Sequence, residues 1–422
     1  MRGSLAYRRY GLAVMTAVYT LNLVDRGLIH LLLQPIKVDL RLSDSQLGFL
    51  TGMAFALFYA LAGLPIARWA DRGNRATIAA LAIGLWGLTV MTCLFVTNYI
   101  QLVLARVAAA VGEAGGKPPT YSLLGDYFPQ AAERTRAMSV YWLGNPLATL
   151  VSFGIGGWLN ARYGWRMTFF LMGIPGLLLA AIVKLSLTDP RPRVLDQEDR
   201  RASSMKSVLK LLWSQRSSRH LCLALILLYT MGSGLNPWYA AFMIRSHGMG
   251  TAELGLRMGI VFCVGGIAGT LLGGYLSSRL FAENEQGQMR MSAVAAALSM
   301  PCVMAFVTLP QKEQALLALL PLIATFSFFM GPTYALLQRL VPDGARATAL
   351  AIVLLLVNLI GMGLGPQVVG FLSDLLAPSF GEDALRVAML TVSLVALWSG
   401  YHFWKAGTTV KEDLSAIEAS LA

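Results

Sequence analysis

Runs of about 20 apolar residues recur along the whole chain, and no other feature limits its fold so tightly. At about 1.5 Å per residue, a helix of that length crosses about 30 Å of hydrocarbon. Inside hydrocarbon every peptide N–H and C=O must be bonded within one helix or around a closed barrel. A barrel strand would show about ten residues of alternating polarity. These runs are uniformly apolar, so the prediction is an all-α integral membrane protein. Composition agrees: 56% of the 422 residues are hydrophobic and 13% charged, with a mean hydropathy of +0.60, where a soluble chain carries roughly a quarter charged. A soluble enzyme, a disordered chain and a fibrous protein are excluded. Cys93, Cys222, Cys263 and Cys302 all fall in apolar runs without ligand spacing. Neither a disulfide framework nor a metal site is expected, and no cofactor is called for.

Charge, Gly/Pro and polar clusters divide the apolar sequence into twelve predicted spans, near 9–33, 46–69, 75–97, 99–127, 135–160, 165–188, 219–245, 252–280, 289–309, 312–341, 346–377 and 384–405. The net charge of +12 would suggest nucleic-acid binding in a soluble protein. Here roughly 22 Lys/Arg fall on one side of the spans and about 8 on the other, which is the bias expected of cytoplasmic loops. Both termini are therefore expected in the cytoplasm of a cell whose inner membrane holds the protein, and nucleic acid is not an expected partner. The first span follows Arg2, Arg8 and Arg9 but runs on through Asp25-Arg26 without a small-residue cleavage site, so it reads as a span rather than a signal peptide.

One long polar stretch, Asp189 to Arg219, separates six spans from six. It carries Pro190, Pro192, the acids Asp196, Glu198 and Asp199, and about eight Lys/Arg. The predicted organisation is an N-terminal bundle, residues 1–189, a cytoplasmic linker, 190–218, and a C-terminal bundle, 219–422. Within the linker, Met205 to Trp213 reads equally as a tether or as an amphipathic segment. The halves share weak internal symmetry. Asn145 precedes Gly157-Trp158-Leu159, and Asn358 precedes Gly370-Phe371-Leu372, at the same offset. Parallel six-helix repeats suit a transporter that rocks about a central cavity, with spans one, four, seven and ten lining it.

The loop Asp71-Arg72-Gly73-Asn74-Arg75 after span two resembles the signature loop of the major facilitator superfamily, and Gly164-Trp165-Arg166 at span six is also common there. Ala67 stands where that family usually has Gly. Asp25-Arg26 in span one, Arg106 with Gly112-Glu113-Ala114 in span four, and Gly125-Asp126 at its end together resemble the Spinster family of lipid transporters. Ala110 replaces an expected Gly in that motif. The resemblance implies twelve helices in two six-helix bundles and alternating access, and a monomer is expected. It also implies a charge network of Asp71, Arg72, Arg75 and Asp126 gating the cytoplasmic side. Its substrate would be an amphipathic lipid such as a sphingoid phosphate or lysophospholipid; a general exporter of small organic anions or hydrophobic drugs is the alternative.

A charge near the bilayer centre costs about 2.5–3.5 kcal/mol on insertion scales, so each intramembrane ion needs a partner or a purpose. Asp25 and Glu113 are the two carboxylates deep in spans, and helical rise puts Asp25 and Arg106 at similar depth. Glu113 lies two turns from Arg106 and one from Lys117 on one helix face. The set reads either as an ion-pair network locking helices one and four or as a proton-coupling site. For coupling, desolvation favours a neutral acid while a nearby cation favours its anion, so protonation follows exposure. Asp25, beside Arg26 and Arg106, is the first candidate proton site, as the Spinster resemblance also implies, and Glu113 is the second. Arg26 and Arg106 are candidate substrate contacts, joined by Tyr229, Phe328, Tyr334 and Asn358 from spans seven, ten and eleven, although aromatic residues in spans often only pack. His30 reads as a proton relay or an ordinary interfacial histidine. Asn236-Pro237 reads as a break or a simple kink, and Lys117-Pro118-Pro119 as an interruption of span four. No catalytic constellation or repeated filter loop appears, which argues against an intramembrane enzyme and a channel.

Overall fold

The computed structural model describes residues 4–190, 205–281, 284–342 and 345–421. Among these the chain is helical throughout, and nine stretches are long and apolar enough to cross a membrane. Two stretches hold two crossings each. Glu133–Ser186 turns at Gly164, whose φ of 77° lies in the left-handed region that glycine enters without a Cβ penalty, and Thr348–Ser415 turns at Gly381, φ 54°. The twelfth crossing is interrupted, with Tyr99–Ala114 and Lys117–Tyr127 separated by Gly115-Gly116. The expected break at Lys117-Pro118-Pro119 therefore falls just before those residues, and the prolines occupy the first turn of the second piece, where a missing N–H costs nothing. Span seven does not break at Asn236-Pro237: Arg216–His247 is one continuous helix. Local capping sets several starts. Asn74 accepts the N–H of Thr77 at 2.8 Å, and Asn98 accepts that of Gln101 at 3.0 Å.

Residues 4–43, 53–190 and 243–259 form one compact unit; residues 44–52, 205–242 and 260–421 form the other. The short helix Asp44–Thr51, the end of Arg216–His247 and the start of Thr251–Leu280 are thus grouped with the half to which they do not belong in sequence. In the first unit Gly157 abuts the backbone of Thr251, and Asn160 Nδ2 donates to Thr251 Oγ1 at 3.0 Å. In the second, the Asp374 carboxylate accepts the N–H groups of Asp44 and Ser45 at 3.0 and 2.7 Å, capping the helix Asp44–Thr51. Sequence periodicity reveals neither arrangement. The amphipathic reading of Met205 to Trp213 corresponds to a helix, Met205–Ser214, which buries Val208 and Leu212 and packs on Arg346–Leu356.

Helix contact in the first unit depends on small residues, since lipid-facing chains gain little from apolar burial alone. A Cβ on Gly173 would stand 2.7 Å from the carbonyl oxygen of Gly87 and 2.5 Å from Met91 Cγ. Overpacking of this kind costs about 1–3 kcal/mol. Gly173→Leu should therefore lower the thermal midpoint of the purified protein, whereas Gly63→Leu, where nothing lies within 4 Å, should leave it unchanged. Equal midpoints for both would show that the third and sixth crossings do not rely on this approach.

Candidate functional site

The charged residues of spans one and four meet inside the first unit as two crossed ion pairs. Asp25 accepts a hydrogen bond from Arg106 Nη1, both side chains being almost fully buried. Arg26 Nη2 lies 2.6 Å from Glu113 Oε1, and its Nε donates to Oε2 at 3.2 Å. Arg26 thus meets both oxygens of Glu113, Oε2 by a hydrogen bond and Oε1 by charge alone. Glu113 is fully buried, while Arg26 keeps 22% of its side chain exposed. Adjacent residues on span one thus bind different partners on span four, two helical turns apart.

Two aromatic rings complete the arrangement. The Arg26 guanidinium stands over Phe55 at 4.6 Å and Tyr59 at 5.1 Å, and Arg106 stands over Phe55 at 5.3 Å. A ring face attracts a cation without neutralising it, so these contacts hold the arginines while leaving their charge available. Lys117 lies over Tyr19 at 5.7 Å and Tyr59 at 6.0 Å. Asn22, one turn before Asp25 and 1% exposed, has neither amide atom hydrogen-bonded, and a Cβ on Gly116 would collide with its Nδ2. Asp25 Oδ1 and Arg106 Nε also lack hydrogen-bond partners. Unsatisfied polar atoms in a buried cluster have a cost that a purely structural lock would avoid.

Asp25, Glu113, Arg26 and Arg106 are therefore assembled at one place. Phe55, Tyr59 and Asn22 were not anticipated. The spacing of Phe55 and Tyr59, one turn apart on span two, is the signal that could have found the aromatic pair. The remaining candidates lie in the second unit. Tyr229 packs edge-on to Phe326 at 5.4 Å and Phe329 at 6.1 Å, and Gly361 abuts its Cβ. Asn358 lies in the π-helical turn Val357–Met362, Tyr334 is half-buried in Met330–Arg339, and Phe328 lines a pocket formed by its own unit.

At the other end of the first unit Arg75, 1% exposed, forms a second network. Its Nη2 lies 2.5 Å from both Asp126 and Asp189, and its Nη1 donates to Ser122 Oγ at 2.7 Å. Asp189 also accepts the backbone N–H of Arg75 at 2.8 Å. The expected Arg75–Asp126 pairing is present, Arg72 is exposed, and the side chain of Asp71 lies outside the described residues. In the sequence Asp189 stands only as the first residue of the polar stretch that runs to Arg219.

Twelve crossings with buried, paired intramembrane charges define a polytopic membrane transporter rather than an enzyme. The chain belongs to the major facilitator superfamily, whose family model matches residues 15–366. It is 32% identical over 409 residues to an MFS-type efflux pump of Mycolicibacterium smegmatis, covering 95% of this chain and 93% of that one. It is 23% identical to a sphingosine-1-phosphate transporter of Danio rerio over 91% of this chain and 81% of the relative. Among solved structures it resembles a bacterial homologue of the human lysosomal transporter Spinster, crystallised in an inward-facing, unoccupied conformation. That match has a TM-score of 0.85 and 28% identity, over 97% of this chain and 99% of the other.

Proposed function

We propose that the protein is a proton-coupled secondary transporter of amphipathic lipids of the sphingoid phosphate or lysophospholipid type. In this reading residues 1–189 and 219–422 act as two bundles in alternating access, joined by the linker 190–218. The protein is a monomer in the inner membrane with both termini cytoplasmic. The observation that carries the proposal is the crossed pairing of Asp25 with Arg106 and Glu113 with Arg26. Each carboxylate neutralises one cation, so adding a proton to either acid frees an arginine. An entering phosphate competes for the same arginines, and Arg26, the more exposed of the two, meets it first. Proton and anion then act on one set of groups, which is what coupling between two ligands requires.

Arginine suits a phosphate because its planar fork donates paired hydrogen bonds and stays charged. Tyr229, Phe328, Tyr334 and Asn358 are the proposed contacts for the lipid chain, and the sphingosine-1-phosphate transporter of Danio rerio supports this substrate class. The 32%-identical efflux pump favours a second reading, export of small organic anions or hydrophobic drugs. Chain length separates the two. Across a series of lysophospholipids competing for transport in proteoliposomes, a lipid site should gain up to about 0.8 kcal/mol of affinity per methylene buried. A flat series, with transport of short hydrophilic anions, would reject the lipid substrate in favour of the exporter.

A further inference from the structure

Three helices of the second unit, Thr251–Leu280, Glu285–Thr308 and Lys312–Phe328, enclose a pocket of about 600 Å³, within the size range of ligand sites. Its shape does not come from loose packing. Gly269 and Gly273 bring the first of these helices against the backbone of Ala324 and Phe328 so closely that a Cβ on either glycine would stand 2.1 or 2.0 Å from a carbonyl oxygen. The pocket is graded along its length. Asn284, Gln286 and Arg290 sit at one end, whereas Val294, Leu298 and Pro321 form the wall leading away from them. From Arg290 to Leu298 the helix rises about 12 Å. The polar group farther in, Thr325, is satisfied: its hydroxyl donates to Leu322 and accepts from Ser299. Leu272, Val294 and Leu298 are half exposed, so the pocket opens on the apolar surface of the unit.

Arg290 supplies the charge. Its guanidinium rests 4.8 Å from the ring of Trp404, and among the described residues no carboxylate pairs with it. The acid closest in sequence, Glu285, is engaged by Arg339. A cation at the cytoplasmic end of a span, held over a ring face and followed by an apolar wall, matches the order of groups in a phospholipid: phosphate at the interface, acyl chain below. A soluble anion would use Arg290 but none of the apolar wall, and a neutral hydrophobic molecule would leave the cation unmatched. We propose that this pocket binds an anionic phospholipid of the cytoplasmic leaflet, its phosphate on Arg290 and one acyl chain along Val294, Leu298 and Pro321. The site uses none of the four charged residues of the first unit, but it takes its cytoplasmic side from the orientation proposed above and has Phe328 in its lining.

The test is native mass spectrometry of the full-length protein in mild detergent, equilibrated with equal amounts of phosphatidylglycerol and phosphatidylcholine of identical chains. The unaltered protein should retain phosphatidylglycerol about fivefold over phosphatidylcholine, the discrimination one interfacial cation provides. Arg290→Gln should remove the preference, Arg290→Lys should keep most of it, and Leu298→Trp, which fills the half-exposed wall, should release both lipids. Equal retention of both lipids by the unaltered protein, a preference that survives Arg290→Gln, or undiminished retention in Leu298→Trp would overturn the assignment.

Discussion

Asp25→Asn should reduce flux driven by a pH gradient to background while leaving substrate exchange at equal pH in place. The substitution keeps the size of the side chain and one hydrogen-bond acceptor for Arg106, but removes the charge that a proton cancels. Gradient-driven transport needs that difference between charged and neutral forms, whereas exchange needs only binding and reorientation. Because the change leaves Arg106 buried without its counter-charge, an arrangement that costs about 3–5 kcal/mol when a buried pair is broken, folding must be checked separately. The double variant Asp25→Asn/Arg106→Gln removes the stranded cation. It should recover stability without recovering driven flux. Driven flux retained in Asp25→Asn would remove Asp25 from the coupling role, and its loss on Glu113→Gln alone would move the proton site to span four.

The second large effect is expected at Arg75. This side chain is buried, bonds two carboxylates and a serine, and ties the start of the third crossing to the last residue before Pro190. Arg75→Ala takes the counter-charge from Asp189, whose side chain is only 6% exposed and keeps the backbone N–H of residue 75, whereas Asp126, 41% exposed, recovers water. The cost should therefore approach the lower end of the buried-pair range, about 3 kcal/mol, and appear as a clear drop in thermal midpoint. Arg75→Lys should be intermediate, because a single ammonium cannot reproduce the fork that reaches both acids. Exposed Arg72→Ala should change little. If Arg75→Ala melted like Arg72→Ala, the network would be an incidental contact.

The apolar runs made the helical membrane architecture legible because hydrocarbon leaves the backbone so few options. Helical rise alone placed Asp25 and Arg106 at one depth, and the crossed pairing bears out that depth. Other features were hidden for identifiable reasons. Phe55 and Tyr59 read as ordinary apolar residues of span two, since a cation–π contact depends on which face meets the arginine. Asp189 sits beside Pro190, where the sequence turns polar, so its role in closing around Arg75 is set by tertiary placement alone. The break in span four falls at Gly115-Gly116 rather than at the prolines because Pro is tolerated in a first helical turn. The grouping of 44–52 with the second unit rests on Asp374 capping a helix start more than 300 residues away, a contact with no local signature.

The coupling of protons to substrate is the centre of the account, and it can be recorded directly. Proteoliposomes carrying a pH-sensitive dye in the lumen, with no imposed gradient, receive a lysophospholipid substrate on one side while uptake is followed in parallel. The account predicts a luminal pH change that tracks uptake in the unaltered protein and is absent in Asp25→Asn even where exchange persists. Uptake of substrate by the unaltered protein with no accompanying proton movement would contradict it.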